Sequence, residues 1–221
     1  MRAHSHRLLC AVFLAALALG ARSARAVDDA VTAQVKQIQL EWETAKFTIP
    51  EGDKQTERMN ALGIEADALA AKYPDRVEVL IWDGIITSER ASMVNPISAL
   101  SLATRARDIL EKANKMNPTA LDAGAPTSLG VLYYRVPGFP LAFGDKDKAR
   151  RLLEQATAGS PTGLDAWYFY GDYLFSQGQY AKAREAFGHA LATPIHPDRP
   201  LWDKNRRLVI QEKLDEIGAK Q

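Results

Sequence analysis

Between Asp165 and Pro194 the segment "DAWYFYGDYLFSQGQYAKAREAFGHALATP" commits the chain to two helices in close contact. Trp167, Tyr170, Gly171 and Leu174 recur at helical spacing on one face. Gly178 then marks a turn, and Tyr180, Ala183, Phe187 and Ala190 form the facing stripe of a second helix. Gly171 and Ala183 are small where the two helices must approach, and Trp167, Leu174 and Phe187 fill the space beside them. A hairpin of this kind cannot bury both of its faces alone, so further copies should lie beside it.

Two earlier copies are present. "KARRLLEQATAGSP" places Ala149, Leu153, Ala156 and Pro161 in the second-helix pattern, and "SLGVLYY" supplies Leu129, Gly130 and Tyr133 for the first helix. These halves stand about seven residues farther apart than in the best copy, with the excess between Tyr134 and Asp145. Asp145 is placed to cap a helix starting at Lys146. One copy earlier, Ala106, Leu110, Ala113 and Pro118 follow "EVLIWDGIITSERA", where Gly84 takes the close-contact position. Here the excess is about ten residues around "SMVNPISALS".

The expected fold is all-α, a short α-solenoid of three helical hairpins at 78–118, 119–161 and 163–195. Two of the hairpins have enlarged inter-helix turns on the same edge of the array. Residues 27–77 read as a degenerate repeat or as capping helices, with a break at Pro50-Glu51-Gly52 and a loose echo of the pattern at Ala61, Ala68 and Pro74. Residues 200–221 read as a C-terminal capping helix with an apolar face of Trp202, Val209, Ile210, Leu214 and Ile217. A stack of repeats needs such a helix, polar on its outer face, to end solubly.

Residues 1–26 have the layout of a cleaved secretory signal peptide. Arg2 and Arg7 precede the apolar run "LLCAVFLAALALG", and Ala24 and Ala26 stand in A-x-A spacing before Val27. The run is short for a bilayer span of roughly 30 Å, so no stable membrane insertion is expected after cleavage. Export to the periplasm of a Gram-negative bacterium follows as the expected location. Removal of this segment takes away Cys10, the only cysteine, so a mature chain can form no disulfide and no thiolate site. It also removes four arginines, leaving 24 basic against 27 acidic residues. That balance is not the clustered positive excess that binding nucleic acid requires.

No catalytic constellation emerges. His189 and His196 lack an acidic partner at ligand spacing, and His189 falls on the solvent side of its helix. There is no G-x-S-x-G, and "GFPLAFGDK" lacks the G-x-x-x-x-G-K-[ST] of a phosphate loop. The carboxylates at Asp145 and Asp147 are explained by a helix N-terminus. The reading is of a protein that is not an enzyme and has no cofactor and no metal.

The three copies resemble the tetratricopeptide repeat, with its W…LG…Y…A…F…A…P pattern. More narrowly, "YYRVPGFPLAFGDKDKARRLLEQA" followed by "DAWYFYGDYLFSQGQYAKAREAF" is similar to exported bacterial members. Among these are the T-component proteins associated with tripartite ATP-independent periplasmic (TRAP) transporters. The broader resemblance implies that the first helices line a concave face. In register, its positions are Ile81, Ile85 and Ser88, then Thr127, Val131 and Tyr134, then Tyr168, Asp172 and Phe175. Such a wall suits a protein or peptide partner, or a small apolar ligand; alternatively these groups are core, covered by the terminal helices or by the enlarged turns. Two functions stay open: a periplasmic scaffold or adaptor, and an accessory ligand-binding component of a TRAP-type uptake system. In the longer turn, Phe139 and Phe143 either fold back over their own hairpin, the favoured arrangement, or offer an apolar patch to a partner.

Overall fold

The computed structural model describes residues 27–220. The signal-peptide reading of residues 1–26 lies outside them. Residues 27–47 are helical (α1). There follow α2 (Asp53–Lys72), α3 (Val77–Ala91), α4 (Pro96–Met116), α5 (Ala120–Arg135), α6 (Lys146–Gly159), α7 (Leu164–Ser176), α8 (Tyr180–Ala192) and α9 (Pro200–Gly218). The described residues contain no β-strand; one isolated bridge joins Gly138 to Gly144. The chain divides within α1, after Gln37. In the first unit the Thr32 hydroxyl donates to the Asp28 carbonyl at 2.9 Å. The second unit, Ile38–Gln221, carries the hairpins.

In that unit α3 packs on α4, α5 on α6 and α7 on α8. The close contact is the same in all three. A Cβ added to Gly84 would lie 2.5 Å from Leu110 Cγ, one on Gly130 2.6 Å from Leu153 Cγ, and one on Gly171 2.6 Å from the Phe187 ring. Each glycine thus lets one large side chain of the second helix lie on the backbone of the first. The flanking alanines complete the contact. Ala106, Leu110 and Ala113, their counterparts Ala149, Leu153 and Ala156, and Ala183, Phe187 and Ala190 are all fully buried, at 0% exposure.

The two insertions are built differently. The longer turn is a true loop, residues 136–145. Gly144 N–H donates to the Pro137 carbonyl at 2.8 Å, and Asp145 N–H to that of Tyr133 at 2.9 Å. No side chain fits at Gly144, where a Cβ would overlap the Val136 carbonyl oxygen. Asp145 caps α6 as expected, its carboxylate accepting from Lys148 N–H at 2.9 Å. The other expected enlarged turn is instead mostly helix. Only Ser92 to Asn95 connect α3 to α4. The extra residues lengthen α4 at its N-terminus, where Asn95 accepts from Ser98 N–H at 3.1 Å and Pro96 begins the first turn. An Asn-Pro pair both caps and starts a helix, so the insertion is captured by α4.

Before α5 straightens, Leu121, Asp122 and Ala123 adopt left-handed backbone angles (φ 49°, 54° and 58°). The regular part of α5 therefore begins near Gly124. Pro126 then falls in its first turn, where no backbone N–H is required. The loose echo at Ala61 and Ala68 is corrected by one position: both are exposed, and Leu62, Ala66 and Leu69 form the buried stripe of α2. Buried Gln55 closes the turn before it, donating to the Ala45 and Ile49 carbonyls at 3.1 and 3.0 Å.

One buried acid gives the fold a pH dependence. Asp83 on α3 is only 3% exposed. Burial first, then the hydrogen bond and like charge of Asp67 on α2, push its carboxyl from 3.8 up to about 7. Arg105 on α4 and Thr87 oppose that rise, and Arg105 holds Asp67 through two hydrogen bonds of 2.6 and 3.2 Å. A carboxyl raised in the folded state favours folding at acid pH, and this contribution is lost as pH climbs from about 4 to 7. Asp83→Asn is therefore expected to stabilise by on the order of 1–2 kcal/mol at pH 8 and to give nothing near pH 4. Calorimetry at both values checks it; an equal gain at each would refute the account.

Candidate functional site

The Ile38–Gln221 unit encloses a cavity of about 790 Å³. Its inner wall is the first helix of the hairpins: Ile81, Ile85 and Ser88 on α3, and Thr127, Ser128 and Val131 on α5. Of the nine residues expected on a concave face, Ile81, Ile85, Ser88, Thr127 and Val131 meet here. The other four do not line it. Tyr134 donates to Asp172 at 2.5 Å, and Arg135, itself in the cavity wall, donates to the same carboxylate oxygen at 2.8 Å. Burial pushes the Tyr134 phenol up, so at neutral pH it remains a donor. Tyr168 is buried beneath the Arg206 guanidinium, 4.1 Å from its ring centre. Phe175 packs on Tyr180 and under Lys213 and Lys220.

The third row is lost to the cavity because α9 packs against α7 and covers it. A register argument that treats each hairpin alone cannot see a helix returning from the end of the chain. The same return supplies much of the wall. Trp42 on α1, Trp82 on α3 and Trp202 on α9 line the cavity, as does Phe169. Trp42 and Trp82 meet edge to face with centroids 5.6 Å apart. Arg199 lies 4.1 Å over Trp202 and 5.8 Å over Trp82, and pairs with Glu43 of α1 at 2.5 Å. Glu43 is 2% exposed. The Gln39 amide, turned with its oxygen toward the guanidinium, also accepts from Arg199, at 3.0 Å. A signal for these residues existed: three of the four tryptophans belong to the cavity.

The cations of the wall are held by carboxylates. Its lysine and arginines, among the described residues, are Lys46, Arg135, Arg199 and Arg206. Each has a carboxylate: Glu89 at 2.8 Å, Asp172 at 2.8 Å, Glu43 at 2.5 Å and Asp165 at 2.6 Å. Trp202 Nε1 donates to the same Asp165 at 3.0 Å.

Both insertions form one lip of the cavity. Pro96, Ala99 and Leu100 of the lengthened α4 line it, with Pro137, Leu141 and Ala142 of the loop. The two loop phenylalanines part company. Phe143 folds back as favoured, edge-on to Tyr133 at 5.5 Å and under Arg107 of α4 at 4.7 Å. Phe139 does not, and is 94% exposed.

Residues 141–200 match the family model of the tetratricopeptide repeat. A thermophilic tetratricopeptide protein of Thermus thermophilus, TTC0263, is 18% identical. The match covers 71% of this chain and 73% of that one, with a TM-score of 0.55. A crystal structure of MamA is 19% identical over 77% of this chain and 96% of its own, with a TM-score of 0.45. No curated protein matches. The matched segment, the recurring glycine contacts and the likeness in fold agree on a tetratricopeptide-repeat fold. The class suggests protein–protein interaction. No described helix is long and apolar enough to cross a membrane.

Proposed function

We propose that this protein is a non-enzymatic adaptor that receives an apolar segment of a partner protein in its cavity. The observation that supports this is a cavity of about 790 Å³ whose lining brings three indoles together with Ile81, Ile85, Leu100 and Val131. Every wall cation among the described residues is already neutralised from within. An anionic occupant would find no unpaired cation on the wall, whereas an uncharged apolar one gains from leaving water. We place the adaptor in the periplasm, after cleavage before Val27. N-terminal sequencing of the exported protein should begin at Val27, and a chain retaining its first residues would refute the cleavage.

Photo-crosslinking tests the occupant. A benzoyl-phenylalanine at Val131, half-buried in the cavity wall, should capture a protein in the native compartment. The same probe at Lys182, exposed on α8, should not. Equal capture from both positions would refute the cavity as the binding face. Its volume also lies in the range of about 300–1,000 Å³ typical of small-molecule sites. That supports a second reading, an accessory binder of a small apolar ligand in solute uptake. Native mass spectrometry of the purified protein would then show a bound small molecule and Val131 would capture no protein.

A further inference from the structure

The lip that borders the cavity is itself apolar and unsatisfied. Phe139 is 94% exposed, Ile97 at the start of α4 is 87% exposed, and Leu141 is 76% exposed. They are not scattered: Leu141 lines the cavity mouth, and Ile97 stands between Pro96 and Ala99, which line it too. Monomeric surfaces carry single exposed apolar groups, but a Phe, an Ile and a Leu grouped on one edge call for a cover. The loop from Val136 to Gly144 bears no charged side chain. It is also held firmly from behind, by Phe143 on Tyr133 and Arg107 and by the Gly144 and Asp145 backbone bonds. So Phe139 is presented on a braced loop.

We propose that two copies of this chain associate about a two-fold axis at the lip, Phe139 of each copy entering the other's cavity. A projecting group at the rim of its own hole makes the surface self-complementary, which is the requirement of an isologous dimer. The charges agree: an uncharged loop meets a wall whose cations are paired internally. The cavity is much larger than a phenyl ring needs, and its mouth is lined by Leu100, Leu141 and Pro137, apolar partners for the lip of the second copy. This inference rests on the cavity's being a protein-binding site, and names a second copy as an occupant.

Sedimentation equilibrium of the purified protein across roughly 1–100 µM tests it; this range covers a dimer of moderate affinity. The expected result is a dimer whose dissociation constant rises at least about tenfold in Phe139→Ser/Leu141→Ser. Far-UV circular dichroism should stay unchanged, because both side chains are already in water. Ser128→Trp, which fills the cavity from α5, should weaken association equally. Mixed with the loop variant, it should restore one of the two contacts and form a heterodimer tighter than either variant's homodimer. A monomer at the top of that concentration range would overturn the inference, as would a dimer indifferent to Phe139 or to Ser128. Phe139-dependent binding of a monomeric protein to phosphatidylglycerol vesicles would overturn it in favour of a membrane-touching loop. Protein capture at Val131 by a strictly monomeric chain would overturn self-association and leave the adaptor reading standing. Loss of both would remove the adaptor reading as well.

Discussion

Gly171→Leu is expected to destabilise the protein by about 3 kcal/mol, the upper part of the range for overpacking a filled core. Even the Cβ would stand 2.6 Å from two atoms of the Phe187 ring. That ring cannot step aside, since Phe187 is fully buried with Ala183 and Ala190 on either side. Relief requires the two helices to separate, which opens the contact over the length of the hairpin. For a chain of this size the loss corresponds to a melting temperature lower by roughly 6–12 °C. Gly171→Ala should show a smaller loss of the same sign. The same substitution at Gly188, where a Cβ meets nothing within 4 Å, is the control and should leave stability unchanged or slightly raised. A near-neutral Gly171→Leu would mean that the repeat contact is not what holds α7 to α8.

Arg199→Ala is expected to cost about 3 kcal/mol, in line with breaking a buried ion pair from one side. The substitution leaves Glu43, 2% exposed, without its cation, and strips the guanidinium from between Trp82 and Trp202. The reverse change, Glu43→Gln, should cost less. Arg199 is 16% exposed and keeps the Gln39 oxygen as a partner. Arg199→Lys should not rescue, because a point charge cannot stack between two indoles as a planar guanidinium does. The double variant Glu43→Leu/Arg199→Met should recover most of the loss, since removing both charges also removes their desolvation penalty. Urea unfolding followed by tryptophan fluorescence reads both stability and site, as Trp42, Trp82 and Trp202 all line the cavity. An Arg199→Ala protein as stable as its parent would mean that the closure between α1 and α9 is decorative.

The hairpins were legible because their determinants are local. Gly84, Gly130 and Gly171 stand where backbones touch, and Ala-x-x-x-Leu-x-x-Ala or its Phe equivalent answers them within the same hairpin. The cap at Asp145 was legible for the same reason. The stretch 92–101 reads as a turn although Asn95-Pro96 announces a helix start; its Ser- and Asn-containing composition conceals the start. In α2 the register slips by one because Ala61 and Ala68 are alanines on a helix rich in alanine, where small size does not mark the buried face.

The site was only half legible. Ile81, Ile85, Ser88, Thr127 and Val131 line the cavity from their place in the repeat. Tyr134, Tyr168, Asp172 and Phe175 hold equivalent places and do not. Tyr168 and Phe175 are taken by α9, through Arg206 and Lys213, while Tyr134 and Asp172 bond to each other, and nothing in the repeat pattern encodes where a terminal helix will land. The amino-acid order by itself determined an all-α chain of glycine-notched hairpins with two insertions on one edge, because those contacts close within about forty residues. Only the tertiary structure decided that Arg199 finds Glu43, 156 positions away. Only it decided that three tryptophans share a cavity and that Phe139 is left in water. Those outcomes depend on how successive hairpins rotate and on which free faces meet, a sum of many small packing terms that no single segment carries.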